Sequence, residues 1–198
     1  MERISRKLTN WLVSKKIITV EEKEVYEYGV FQMMVNVLDT MSILILSILF
    51  SKVLPTCCYI VCFCMLRKYA GGYHAKSVIG CYLMTVGSAI IMLLTIRFCR
   101  LPIAVIIAVW LVSGIIVFLF APVQNRNKRL DELEQLVYRR RAIIIWLSES
   151  VLMWGLYSFR FIQEVEGILL SNVLIVISML AELKSLPKFR DKGEKILW

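Results

Sequence analysis

Six long apolar runs, separated by short charged stretches, are the feature that most restricts what this chain can fold into. A hydrocarbon core about 30 Å thick requires roughly 20 apolar residues in a helix, so such runs predict membrane-spanning helices. The second run, about 21 Å long as a helix, is too short for a full span and predicts a helix in thinned membrane or a half-inserted element. The expected fold class is all-α, a polytopic integral membrane helical bundle of about six transmembrane helices with a short second helix. The runs comprise residues 30–50, 53–66, 78–96, 101–122, 142–159 and 167–183.

Composition and charge agree with a membrane location. A water-soluble domain of 198 residues could not bury a chain that is 59% hydrophobic. The net charge is +9, and the Lys and Arg residues lie between the apolar runs and not in an aromatic-rich basic motif. We therefore expect no nucleic-acid partner. A cytoplasmic N-terminus with six crossings places most Lys and Arg residues on the cytoplasmic side, as the positive-inside rule requires. The charge pattern therefore predicts a multi-pass membrane protein with both termini cytoplasmic.

The first 29 residues carry their own helical pattern and no cleavable signal peptide is expected there. Thr19 and Glu22 fit a capping box, which predicts a second short helix leading into the membrane. The alternative for this region is a solvated helical hairpin. The residues that suit an amphipathic helix on the anionic inner leaflet are Ile4, Leu8, Trp11 and Leu12. The expected organisation is one domain over residues 1–198, with amphipathic cytoplasmic or interfacial helices in 1–29, the transmembrane bundle in 30–183 and a basic cytoplasmic tail in 184–198.

The stretch RKYAGGYHAKSVIGC, residues 67–81, contains the only histidine, His74, seven residues before Cys81. Histidine exchanges protons near neutral pH, and a thiolate is favoured near a helix N-terminus beside Lys76, so the two side chains could act as general base and nucleophile. On an unbroken helix they would lie about 10.5 Å apart, too far for contact. Gly71 and Gly72 make a helix break inexpensive, so a break is predicted there. The alternative is an ordinary connecting loop.

The other cysteines do not suggest a metal or disulfide site. They lack regular C-x-x-C pairs, and a single histidine leaves no partner for a mixed zinc site. We therefore expect no metal and no cofactor, and we interpret these cysteines as small packing residues. They are Cys57, Cys58, Cys62, Cys64 and Cys99.

Together these residues resemble a known family. Arg67, Gly71–Gly72, His74–Ala75 and Cys81 are similar to the motif of AgrB, the membrane peptidase of the accessory gene regulator system, and Ala121–Pro122 followed by Lys128 is a weaker second similarity. The resemblance implies a cysteine endopeptidase of the bacterial cell membrane. It would remove the C-terminal tail of an AgrD-like quorum-sensing precursor peptide and promote thiolactone ring closure. A homodimer is implied by the family alone.

The resemblance also implies site roles. Cys81 would be the nucleophile and His74 the base, with Arg67, Gly71, Gly72 and Lys76 in supporting positions. Backbone N–H groups around the glycines, or the charge of Arg67 or Lys76, could stabilise the oxyanion.

Three questions stay open from the sequence. Asn36, Asp39 and Glu149 are polar residues within apolar runs that could orient His74, or that could instead pair with Arg or Lys. Lys128 and Arg129 could bind an acidic peptide tail, although a basic loop also suits lipid headgroups. A non-enzymatic membrane peptide permease or receptor subunit is the competing function.

Overall fold

Seven helices and no strand make up the part of the chain that the computed structural model describes, residues 2–73, 77–123 and 131–190. This architecture confirms the all-α prediction. The helices are α1 (Glu2–Ser14), α2 (Lys23–Leu49), α3 (Val53–Ala70), α4 (Val78–Phe98), α5 (Ile103–Phe120), α6 (Glu132–Ser158) and α7 (Ile162–Arg190).

Five of these helices are long and apolar enough to cross a membrane by length and composition: α2, α3, α4, α5 and residues 162–184 of α7. They confirm a polytopic membrane protein. The second apolar run forms a longer helix than its apolar residues alone suggested, because α3 continues through Arg67 to Ala70. Its 18 residues rise about 27 Å. The run at 142–159 lies in α6, a 27-residue helix that is less apolar because three arginines precede the run and Glu149 interrupts it.

The N-terminal region folds back on the start of α2. The Ser5 hydroxyl donates a hydrogen bond to the Glu27 carbonyl at 3.1 Å. Ser5 and Thr9 are buried by this packing, whereas Ile4, Leu8 and Trp11 are exposed. An outward apolar face on a basic helix favours an interfacial position over a solvated hairpin.

The predicted capping box is present. The Thr19 backbone N–H donates to the Glu22 carboxylate at 3.0 Å, and the Glu22 N–H donates to the Thr19 hydroxyl at 3.3 Å. The Thr19 N–H and the Thr19 hydroxyl, which also donates to this carboxylate at 3.0 Å, lower the pKa of the Glu22 carboxyl. The helix that follows runs without interruption to Leu49, so the second N-terminal helix is the beginning of α2 and not a separate element.

Helix α7 is the most enclosed span. In its most apolar stretch 61% of the residues are buried, against 22–33% in the other four candidate spans. Gly167 allows α3 and α7 to cross closely, because a Cβ atom there would lie 2.5 Å from the Pro55 carbonyl oxygen. Leu66 of α3 and Met179 of α7 belong to one buried cluster that also includes residues of α5 and α6. This cluster lies beside the residues that follow α3.

Candidate active site

The helix break predicted at the glycines is present. Helix α3 ends at Ala70 and α4 begins at Val78. Gly71 has φ +76° and Gly72 has φ +124°, backbone conformations that residues with a Cβ atom rarely adopt. His74 lies outside the described residues, so its role as a base stays a prediction. The same holds for Lys76, Lys128 and Arg129.

Arg67 forms hydrogen bonds with the backbone that follows α3. From the last turn of α3 its Nη1 atom donates to the Gly71 carbonyl at 2.9 Å, and its Nη2 atom donates to the Tyr73 carbonyl. Nη1 also donates to the Ser178 hydroxyl on α7. The Tyr73 N–H donates to the Ser178 carbonyl at 3.0 Å. One half-buried guanidinium and one residue of α7 thus fix the backbone that leads to position 74.

Space as well as backbone conformation requires glycine at both positions. A Cβ atom on Gly72 would clash with the Arg67 guanidinium and the Ser178 hydroxyl. A Cβ atom on Gly71 would clash with the carbonyl oxygen of Val123. The two glycines therefore allow close approach of α7 on one side and of the chain after α5 on the other.

The segment that follows α5 lies against this break. The Val123 N–H donates to the Ala70 carbonyl at 2.9 Å, and Val123 forms a parallel backbone bridge with Gly71. Ala121 and Val123 are both buried, and the Ala121–Pro122 peptide bond is cis. The two segments that carry the family resemblance are therefore neighbours in the fold.

Cys81 lies in the first turn of α4. Ser77 caps this helix by accepting a hydrogen bond from the Gly80 N–H at 3.0 Å. The Cys81 thiol is free and partly exposed, and it lies within electrostatic range of the Arg67 guanidinium. Cys99 follows the last residue of α4, at the other end of that helix.

Asn36, Asp39 and Glu149 are the candidates for orienting His74, which lies outside the described residues. Asn36 is exposed and accepts a hydrogen bond from Gln32 at 3.1 Å. Asp39 and Glu149 are buried, and neither forms an ion pair within the described residues. Pairing with Arg or Lys, the alternative raised from the sequence, is thus not observed for these two carboxyls in that part of the chain.

Glu149 lies deeper in the bundle than the break. Its carboxyl is beside the Asn172 amide of α7 and near Cys62 of α3, yet neither carboxyl oxygen has a hydrogen bond of normal geometry. Cys62 precedes Arg67 by five residues, about 7.5 Å along α3. Glu149 and Asn172 are therefore a second polar site within the bundle.

Sequence reasoning missed the contribution of α7. Ser178 contacts the break directly, and the buried Glu182 lies one turn later within electrostatic range of Arg67. Two polar residues four apart in the last apolar run were a visible signal. The sequence alone, however, does not indicate which other helix they face.

No group of three His, Cys, Asp or Glu side chains that could hold a metal ion is found within residues 2–73, 77–123 and 131–190. All six cysteines are free thiols. The described residues around the break supply a thiol, a guanidinium, the Ser178 hydroxyl and backbone amides.

Comparison with known proteins identifies the family. The family model for accessory gene regulator B, AgrB, matches residues 5–183. An AgrB-like protein 2 of Clostridium perfringens (strain 13, type A) is 28% identical over 135 residues, and an AgrB-like protein of strain SM101 is 27% identical over 135 residues. Each match covers 65% of this chain and 63% of the relative, so the chain spans less than two thirds of the length of these relatives. No solved structure matches significantly. Because the family model covers most of the chain, the chain belongs to the AgrB family.

Proposed function

We propose that this protein is a membrane cysteine endopeptidase that removes the C-terminal tail of an AgrD-like precursor peptide and promotes thiolactone ring closure. Family membership supports a role in processing quorum-sensing peptides. The observation that carries the proposal is the helix break after Ala70, which is fixed by an arginine within electrostatic range of Cys81. A free, partly exposed thiol in the first turn of the helix that follows a helix break suits nucleophilic catalysis.

In the proposed reaction His74 accepts the proton of the Cys81 thiol, and the thiolate attacks the carbonyl of the scissile peptide bond. Protonated His74 then gives its proton to the departing amide nitrogen. The tail leaves with a new amino terminus, and the body of the peptide remains as a thioester on Cys81. An internal thiol of the substrate attacks this thioester, which closes the ring and releases the Cys81 thiol.

The structure narrows the candidates for oxyanion stabilisation. Three donor contacts of Arg67 go to Gly71, Tyr73 and Ser178, so this side chain is better suited to holding the loop than to binding the oxyanion. The N–H groups of Gly71 and Tyr73 donate to the carbonyls of Arg67 and Ser178. Among the backbone N–H groups of residues 71–73, this leaves that of the buried Gly72 as a candidate oxyanion donor.

The membrane setting completes the proposal. We propose that both termini lie in the cytoplasm, where the precursor peptide would be made, and that an enclosed site protects the thioester from water. Lys128 and Arg129 would attract an acidic peptide tail by charge. A homodimer in the membrane is part of the same family-based proposal.

Replacement of the nucleophile tests the proposal. The purified protein in lipid vesicles is incubated with synthetic AgrD-like precursor peptides, and tail release and mass adducts on the protein are measured. We expect Cys81→Ala and Cys81→Ser to abolish release and the adduct, and Cys99→Ser, at the other end of α4, to retain both. Tail release by Cys81→Ala would disprove the thiol mechanism. Peptide binding without cleavage by the unchanged protein would favour the permease or receptor subunit.

A further inference from the structure

Ser178 differs from a typical serine in a helix. Ser171, on the same helix, donates its hydroxyl to the Ile168 carbonyl of its own turn at 2.7 Å. This local hydrogen bond is the usual arrangement for a buried helical serine. The Ser178 hydroxyl instead accepts a hydrogen bond from Arg67 of α3, and the Ser178 carbonyl accepts one from Tyr73. Ser178 therefore contacts the break with both its side chain and its backbone.

The three acceptors of Arg67 are not equivalent. The Gly71 and Tyr73 carbonyls belong to the same short segment that Arg67 holds, so they move with it. Ser178 lies on α7, the most enclosed span of the bundle. Of the three acceptors, only the Ser178 hydroxyl ties the guanidinium to a separate and well-packed helix.

The location of the guanidinium matters for the chemistry. Arg67 lies within electrostatic range of both Cys81 and the buried Glu182, which is one helical turn beyond Ser178. An arginine side chain has several rotatable bonds, and ordering it has an entropic cost that its hydrogen bonds must offset. A fixed acceptor on α7 limits the range over which its charge can act on the thiol.

We propose that Ser178 is a positioning residue for the reaction at Cys81. Its hydroxyl holds the Arg67 guanidinium against the break, within electrostatic range of the thiol, and Glu182 lies one turn further along α7. This inference rests on the proposed function for its biological meaning. Its physical content, the control of Cys81 reactivity by a serine on another helix, is independent of any peptide substrate.

The test uses iodoacetamide as a probe and needs no peptide. Protein in lipid vesicles is alkylated, and the adducts on Cys81 and Cys99 are quantified by peptide mass spectrometry in the same sample. Alkylation by iodoacetamide proceeds through the thiolate. The ratio of the Cys81 rate to the Cys99 rate therefore reports on the surroundings of Cys81, and it does not depend on the total amount of protein in the sample. The variants are Ser178→Ala, Arg67→Lys, their combination, and Ser171→Ala as the matched control.

We expect Ser178→Ala to lower the ratio of Cys81 to Cys99 alkylation about 3- to 10-fold, because a hydrogen bond to a charged group is lost. Ser171→Ala should leave the ratio unchanged. The ratio of Cys81 to Cys99 alkylation in the double variant should be no lower than in Arg67→Lys alone, because residues that act as one unit have non-additive effects. Once a cognate peptide is identified, Ser178→Ala should lower kcat for tail release with little change in KM.

Three results would overturn the inference. The first is an equal loss in Ser178→Ala and Ser171→Ala, which would indicate general loosening of α7. The second is an unchanged alkylation ratio in Ser178→Ala, and the third is a fully multiplicative effect of the two substitutions in the double variant. If alkylation responds as expected while Cys81→Ala still releases the tail, the positioning role stands and the proposed peptidase mechanism fails.

Discussion

The backbone of Gly71 is bridged to the backbone of Val123, although the two residues belong to connections that precede and follow a helical hairpin of α4 and α5. The hydrogen bond from the Val123 N–H to the Ala70 carbonyl, at 2.9 Å, reinforces this junction. The glycine-containing break is thus enclosed by Val123 on one side and by Ser178 on the other. This enclosure explains how residues 71–73 keep a defined backbone directly after α3.

Gly71→Ala is expected to open this junction. The added Cβ atom would clash with the Val123 carbonyl oxygen, and φ +76° is unfavourable for alanine. We expect thermal unfolding in detergent to show a loss of about 1–3 kcal/mol. Gly29→Ala in α2, where a Cβ atom meets nothing within 4 Å, is the control and should not be destabilised. Equal stability of the two variants would contradict the role assigned to Gly71.

Gly72→Ala is expected to lower tail release about 100-fold, because a shift of the loop by roughly 1 Å would misplace the residues around Cys81. The added Cβ atom would meet the Arg67 guanidinium and the Ser178 hydroxyl. Gly87 lies on the same helix as Cys81 and has open space for a Cβ atom. Gly87→Ala is therefore the control, and its activity should match that of the unchanged protein. Full activity of Gly72→Ala would show that the observed loop geometry is not needed for catalysis.

Glu149→Gln is expected to keep or increase stability. Burial of an ionised carboxyl without a cationic partner is costly, and neither Glu149 oxygen has a hydrogen-bond partner among the described residues. Glutamine has the same shape and can donate to the neighbouring Asn172 oxygen. The control is Glu132→Gln, because Glu132 is exposed at the start of α6. The thermal unfolding midpoints of the two variants are compared. A loss above about 1 kcal/mol in Glu149→Gln alone would be evidence for a required carboxylate.

Gly114→Ala is expected to separate α5 from α6. A Cβ atom at this position would lie 2.6 Å from the Trp146 ring, and overpacking of this kind costs about 1–3 kcal/mol. Gly155→Ala, on α6 and with open space, should be neutral or slightly stabilising. Trp146 is part of the buried cluster beside the break, so Gly114→Ala should also reduce tail release. Unchanged unfolding midpoints in both variants would show that the two helices can adjust freely.

Thr19→Ala is expected to raise the pKa of the Glu22 carboxyl part of the way towards its ordinary value, because the backbone N–H, the larger cause of the lowered pKa, remains while the hydroxyl donor is lost. A carboxyl whose pKa is lowered by folding stabilises the fold above its unfolded pKa, about 4.3, and this contribution disappears as the pH falls through the folded pKa. Acidification should therefore release the start of α2 in the unchanged protein. An NMR titration of the Glu22 carboxyl carbon in both proteins measures the difference, and identical titration curves would exclude a functional capping box.

The parts of the fold that follow from local sequence were predictable. Apolar runs predicted the helices because a backbone in a membrane must satisfy its hydrogen bonds within each helix, so local length and hydropathy are sufficient. The run at 142–159 shows the limit of that reasoning, since α6 is a single long helix that is less apolar than the five candidate spans. The break at Gly71–Gly72 was also local, since two glycines tolerate a conformation that other residues rarely adopt.

The sequence by itself determined the helical membrane architecture, the interrupted helix and the family resemblance around Arg67 and Cys81. Only the tertiary structure decided that Arg67 would meet Ser178, that Gly71 would meet Val123 and that Glu149 would lie beside Asn172. The physical reason is that a polar residue in an apolar run is recognisable as buried, but its partner depends on the rotation and depth of each helix. Those quantities are set by packing against neighbouring helices, which no single segment encodes.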